Sequence, residues 1–337
     1  MDQGHDLFRD SRGSGLIVAA ASPQPAMRMG GKPPVIIAGA HRSGTTLVVR
    51  LLERLGLFTG VRRDPNLESF FFLRRNEWVL RCAGGSWDRP LDALNQLSSE
   101  AHLKEVCAAL SGEVCSMRFV EYSGVASMLL KRGTRTDNRP WGWKDPRNTF
   151  TFDAWVSCFP GAKLVLIERN GVDVAQSLLR REQEVSSGGQ GAAGFHPIQR
   201  GRTGHEPLLR GGPLEPYMTD SPRLGSWSGA FELWEEYVEA GHSLFERYRG
   251  PKLRVRFETL VEESTPTLEG LADFCGLTPA DREIDQACSM VEPARAFSFR
   301  RDPSLFERYE AVKGSRWMRT LGYGGIEAAA RDGGPQG

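Results

Sequence analysis

Cysteine and histidine are sparse, six of each in 337 residues. No two cysteines form a C-x-x-C pair: Cys82, Cys107, Cys115, Cys158, Cys275 and Cys288 stand apart. That spacing offers no zinc site, and isolated cysteines in a chain this long read as reduced, small apolar residues. Long hydrophobic runs are missing as well. The stretch Gly15 to Ala21 is apolar but far short of the roughly 20 residues that a membrane span needs. The mixed acids and bases before it make a poor secretion signal, so the expectation is a cytoplasmic chain with no membrane span. Net charge is almost absent, with 43 Lys and Arg against 42 Asp and Glu. No global field then draws nucleic acid, and any anion site must be built locally.

Strand-to-helix transitions recur along the chain. Pro34 to Ala40 is a short apolar run that reads as a buried strand. Leu47, Val48, Leu51, Leu52 and Leu55 follow at helical spacing, with Gly56 suited to the C-terminal cap. A second transition has a strand over Lys163 to Glu168 and a helix to about Arg181. A third has a strand over Leu253 to Phe257 and a helix over about Thr267 to Cys275. A short strand is expected within Pro140 to Arg147, with Pro146 stopping any helix there. Further helices are expected over Asn66 to Leu80, Ser98 to Leu110, Met117 to Lys131 and Trp227 to Tyr248. Strands alternating with helices predict an α/β fold: a P-loop-like parallel sheet flanked by helices on both faces, with ligands at the C-terminal strand ends. One domain is expected over residues 33–322, after a mobile leader (1–32) and before a loose tail (323–337). The irregular segment 184–226 reads as a lid or insertion.

The turn between the first strand and its helix reads AGAHRSGTT, Ala38 to Thr46. Gly39 and Gly44 keep the spacing of a phosphate-binding loop, but Thr45 stands where a nucleotide-hydrolysing loop has lysine. Unpaired N–H groups at a helix start bind anions, and the two threonines add hydroxyl donors. Without the lysine, ATP hydrolysis is disfavoured.

His41-Arg42-Ser43-Gly44-Thr45-Thr46 resembles the 5′-phosphosulfate loop of sulfotransferases. Ile167 to Leu179 is similar to that family's 3′-phosphate motif, with Arg169 at a strand end and Ser177 on the next helix. The segment Val255 to Leu277 resembles a third family segment and puts Phe257 where members carry an aromatic near adenine. Trp141 to Arg147 resembles the K-D-P segment of tyrosylprotein sulfotransferases and many bacterial relatives. The match runs over roughly residues 34 to 322. It implies 3′-phosphoadenosine 5′-phosphosulfate (PAPS) as co-substrate, PAP as product, a P-loop-like fold and no metal. Two departures set the chain nearer the carbohydrate and tyrosylprotein branch. Leu47 replaces a tryptophan that stacks on adenine in the cytosolic branch, and Lys144-Asp145-Pro146 replaces that branch's K-x-H.

The resemblance implies a donor site of His41, Arg42, Ser43, Gly44, Thr45, Thr46, Arg169, Ser177 and Phe257, with Arg300 from the C-terminal region closing on the 3′-phosphate. Arg42 and Lys144 are expected to stabilise charge as the sulfuryl group transfers in line. Glu68 is the first candidate for the base that takes the acceptor's proton; Asp145 is second and His41 third. The acceptor is a small-molecule or glycan hydroxyl, with a carbohydrate, lipid or natural product left open. A P-loop small-molecule kinase and a non-catalytic nucleotide-binding relative are the alternatives.

Overall fold

A computed structural model describes residues 31–125, 139–186 and 221–328. The leader to residue 30, most of the expected lid and the last nine residues lie outside the described residues.

Four strands form one sheet in the order β2-β1-β3-β4. They are β1 (Val35–Gly39), β2 (Gly142–Lys144), β3 (Lys163–Glu168) and β4 (Lys252–Arg256). All pairs are parallel: Val35 lies opposite Gly142 on one side and Lys163 on the other, and Leu164 lies opposite Lys252. Parallel strands need crossovers that cover both faces, so every strand residue tends to be buried. β1 is buried throughout, and its alternate residues feed two cores. Ile36 and Ala38 pack with Phe72, Trp143 and Trp155 on one face. Val35 and Ile37 pack with Val48, Leu52, Leu268 and Leu271 on the other. β3 repeats the division, with Leu164 and Leu166 on the first face and Val165 and Ile167 on the second.

The helices that bear on the site are α1 (Thr45–Arg54), α2 (Phe70–Cys82), α3 (Glu100–Val114), α4 (Asn148–Cys158), α5 (Gly171–Ser186), α6 (Trp227–Arg247), α7 (Phe257–Glu262) and α8 (Ser264–Cys275). The α/β expectation holds, and several boundaries move for physical reasons. The helix expected from Asn66 starts only at Phe70, because Leu67 has a left-handed φ of 64° inside a tight loop. The helix expected over 117–131 is interrupted: a 3-10 turn and a four-residue helix end at Gly124, φ 85°, and Val125 is helical again; residues 126–138 lie outside the described residues. α4 starts two residues after Pro146, which closes the extended segment without preventing a helix beyond it. Tyr323, just past Gly322, is buried and donates its hydroxyl to Glu258 at 2.7 Å. The chain is therefore still packed where the tail was expected to begin.

Candidate functional site

β1 stops at Gly39 and α1 starts at Thr45, so the loop opens at the C-terminal edge of the sheet. Two glycines make the turn possible. Gly39 has φ 144°, and a Cβ there would lie 2.5 Å from the Ile167 carbonyl oxygen. Gly44 caps α1 at φ 95°, and its Cβ would lie 2.2 Å from the Phe257 ring. No side chain caps the helix, so its first-turn N–H groups keep their capacity for an anion. Ser43 and Thr45 are buried, and the Ser43 hydroxyl has no partner. Thr46 donates to the Asn66 carbonyl at 3.2 Å.

The second motif arrives at the same place. Arg42 donates from Nε to Ser177 Oγ at 2.9 Å, across 135 residues of sequence. Arg169, just past β3, donates to the carbonyls of Arg42 (3.3 Å) and Arg295 (3.0 Å) and to Asp173 (3.4 Å). Its guanidinium lies 4.2 Å from the centre of the Phe257 ring, so Phe257 is packed between Gly44 and Arg169. The Arg42 side chain reaches solvent, but the protein packed around it partly desolvates it and lowers its proton affinity from the usual value, and Arg169, Arg295 and Arg180 lower it further against the opposing charge of Glu184. The charges of Arg169, Arg295 and Arg180 thus act on Arg42, although the Arg295 guanidinium is itself paired with Glu292 at 2.9 and 3.1 Å; a surplus of positive charge suits an anion.

A buried polar frame fixes this end of α5. Asn170 Nδ2 donates to Glu258 (2.8 Å) and Asp173 (2.9 Å). Asp173 accepts from the Ser298 and Phe299 backbone N–H groups at 3.1 Å and 3.0 Å and from the Ser298 hydroxyl at 2.6 Å. These bonds carry the segment around Arg295 to the site. Arg295 and Arg180 escape a reading of the sequence. Arg180 stands one helical turn after Ser177, which is a usable signal, whereas Arg295 follows a proline in an irregular stretch. Arg300 is not brought to the arginine group; its Nε donates to the Glu327 carbonyl at 2.8 Å on the surface.

On the other side of the loop lies a buried charge cluster. Lys144, the last residue of β2, donates to Glu68 Oε1 at 2.8 Å, and both are buried. Arg147 is fully buried and reaches Glu68 (3.6 Å), Glu77 (3.0 Å) and Asp145 (3.0 Å). Burial acts against its charge, but Asp145, Glu77 and Glu68 hold its proton affinity above the usual value. Asp145 accepts from the Arg147 N–H at 2.9 Å and from Asn76 at 2.9 Å. Asn76 in turn accepts from Thr151 and Trp155, both at 2.7 Å. Burial raises the Asp145 pKa against the pull of Arg147. Its oxygens are committed to this framework, which is a structural role; Glu68 stands at the edge facing Lys144.

His41 is buried with its ring edge-on to Trp87 (5.1 Å) and Tyr237 (5.3 Å), and its Nε2 has no partner. Burial, then Arg147, Lys144, Arg181 and Arg42, lower its pKa well below 6.5, so it is neutral at pH 7. The consequence for stability has a definite sign. The unfolded chain binds the His41 proton more readily than the folded one, so stability is lost as pH falls below 6.5. The slope reaches at most about 1.4 kcal/mol per pH unit. Urea unfolding of wild type and His41→Phe at pH 7.5 and 5.5 is expected to show a smaller acid loss in the variant; equal losses would refute the assignment.

Comparison with known proteins adds a similarity. Residues 33–198 match the model of the sulfotransferase family. A search of curated proteins finds no match. Among solved structures the chain is similar to the sulfotransferase domain of the curacin biosynthetic pathway, at 14% identity and TM-score 0.39 over 79% of this chain and 80% of that one. The sulfotransferase domain of the Synechococcus PCC 7002 olefin synthase shows 17% identity and TM-score 0.38 over 84% and 88%. A sulfotransferase from Alicyclobacillus acidocaldarius shows 15% identity and TM-score 0.40 over 83% and 91%.

Proposed function

We propose, for a chain whose residues 33–198 match the model of the sulfotransferase family, transfer of the sulfuryl group from PAPS to an acceptor hydroxyl. One observation carries this reading beyond the family. The glycine turn and the Arg169–Ser177 motif meet at a single point, through Arg42 on Ser177 and Arg169 on the Arg42 carbonyl. Two anion-binding devices that converge in this way suit a ligand with two phosphate-like groups.

In this reading the α1 N-terminus, Gly44 and the hydroxyls of Ser43, Thr45 and Thr46 hold the 5′-phosphosulfate. His41 lines the loop. Arg169 and Ser177 hold the 3′-phosphate, with Arg180 and Arg295 adding charge. Phe257 supports Arg169 and borders the adenine. The acceptor oxygen attacks sulfur in line as the bond from sulfur to the bridging oxygen breaks, and PAP leaves with that oxygen. Arg42 and Lys144 stabilise the charge that develops, and Glu68 takes the acceptor's proton. The sulfuryl group carries less charge than a phosphoryl group, so cationic side chains serve without a metal ion. The acceptor belongs to the small-molecule or glycan hydroxyls.

Calorimetry tests the donor. PAP is expected to bind at least about tenfold tighter than AMP, a difference of about 1.4 kcal/mol for the added phosphate contacts. Magnesium-dependent ATP binding tighter than that of PAP would point to a kinase instead. Labelled PAPS incubated with panels of sugars, lipids and phenols then identifies the acceptor by the label it gains.

A further inference from the structure

We propose that Asp64 is a positioning residue for Glu68: it holds a strained turn that aims the Glu68 carboxylate at Lys144, and its protonation releases that turn. This rests on the reading of Glu68 as the group that takes the acceptor's proton.

The loop before α2 is closed by a bridge between Arg63 and Ser69. Inside it, Asp64 makes four hydrogen bonds, to Asn66, Leu67 and Glu68. Its N–H donates to the Glu68 carbonyl at 3.0 Å, and its carbonyl accepts from Leu67 N–H at 3.0 Å. Its Oδ1 accepts from Glu68 N–H at 2.7 Å, and its Oδ2 accepts from Asn66 Nδ2 at 3.1 Å. Leu67 is held in the left-handed region, φ 64°, a conformation that costs a residue with a Cβ and persists only where its surroundings enforce it. The Thr46 hydroxyl bonds to the Asn66 carbonyl and joins this turn to the anion-binding loop. The result is that Glu68, two bonds of chain beyond the strained residue's carbonyl, meets Lys144 at 2.8 Å.

Both Asp64 oxygens are acceptors, so a proton on either one faces a donor and removes a bond that opposes the strain. Asp64 is poised for this: burial, and then the charge of Glu68, raise its pKa to about 6 against the help of the Glu68 N–H, Lys144 and Asn66. Glu68 on its own loop and Lys144 on β2 are the charged groups that act on it. Arg63 turns away to Glu53 and Thr59 of the α1 side, and Arg62 to Glu121.

The test follows sulfate release from labelled PAPS with water as acceptor, between pH 5 and 8. A single group of pKa about 6 predicts that kcat of the wild type falls about tenfold between pH 7 and pH 5, with KM for PAPS unchanged. Asp64→Asn keeps an acceptor for the Glu68 N–H but turns an NH2 toward Asn66, as a proton would, and does not titrate; its kcat is expected to be lowered at every pH and to vary less than about twofold over that range. PAP binding by calorimetry, equal in both proteins, checks the fold. Should Asp64→Asn not fold, Leu67→Gly removes the left-handed cost and is expected to move the acid loss to lower pH. An unshifted tenfold loss in whichever variant folds overturns the proposal. Glu68→Gln separates the two readings. If it is inactive while the variants keep the wild-type profile, only the role of Asp64 falls; if it turns over like the wild type, both fall.

Discussion

Replacing Arg42 with alanine is expected to lower sulfuryl transfer by about 10²–10³-fold and to leave the fold as it is, since loss of one donor to developing charge typically costs that much. The separation of activity from folding comes from how Arg42 is held. Its side chain is exposed, and Ser177 accepts its Nε. The backbone at Arg42 is left-handed, φ 67°, but alanine bears the same cost there as arginine, so the loop keeps its shape. The Arg42 carbonyl, which accepts from Arg169, also survives the substitution. Measured together, kcat with PAPS should collapse while the thermal midpoint moves by no more than about 2 °C, within the range of an exposed substitution. Full activity in the variant would show that the charge is stabilised elsewhere.

The second large effect is on stability. Lys144 and Glu68 are both buried and bonded at 2.8 Å. Lys144→Met takes away one partner of a buried pair, which costs about 3–5 kcal/mol because the remaining charge is left without its partner in a medium that solvates it poorly. For a domain of this size that lowers the melting temperature by roughly 10 °C. The cost is expected to be partial, because Arg147 stays 3.6 Å from Glu68 Oε2. The double variant Glu68→Leu with Lys144→Met should recover much of the loss, since no unpaired carboxylate remains. Strict additivity of the two single costs would show that the pair is not coupled. Both single variants should be inactive, and the double variant stable but inactive, which separates the pair's chemistry from its packing.

Much of the donor side was legible because its signals are local. The glycines of the loop sit between an apolar run and a helical period, and β3 falls on Lys163–Glu168 as the run of apolar residues indicates. Arg169 and Ser177 are marked by the resemblance of Ile167 to Leu179 to the 3′-phosphate motif of sulfotransferases, and the structure brings Ser177 to Arg42. What could not be read is long-range. Arg295 reaches the site only through the Asp173–Ser298 bonds and the Arg169 bond to its carbonyl, and nothing in its neighbourhood of sequence announces that. α4 was missed because Asn148 to Phe152, Ala154 and Trp155 are all buried; a helix covered on most sides has no polar face and therefore no 3.6-residue period. The late start of α2 was missed for a different reason. A left-handed leucine at position 67 goes against local preference, and it lies next to the proposed catalytic carboxylate, where such conflicts are expected to gather.

The order of the strands also governs how the chain acquires its shape. Among the described strands β1 comes first in the chain and lies inside the sheet, yet its neighbours are Gly142 onward on one side and Lys163 onward on the other. At a synthesis rate of about 5–20 residues per second, the apolar run Val35 to Gly39 waits for several seconds with both edges open. No local hairpin can close over it, since parallel strands are joined only through crossovers. Refolding from denaturant faces the same delay, because loop-closure entropy precedes any gain from pairing. Yield on refolding should therefore fall as protein concentration rises, with β1 the segment that finds the wrong edge first.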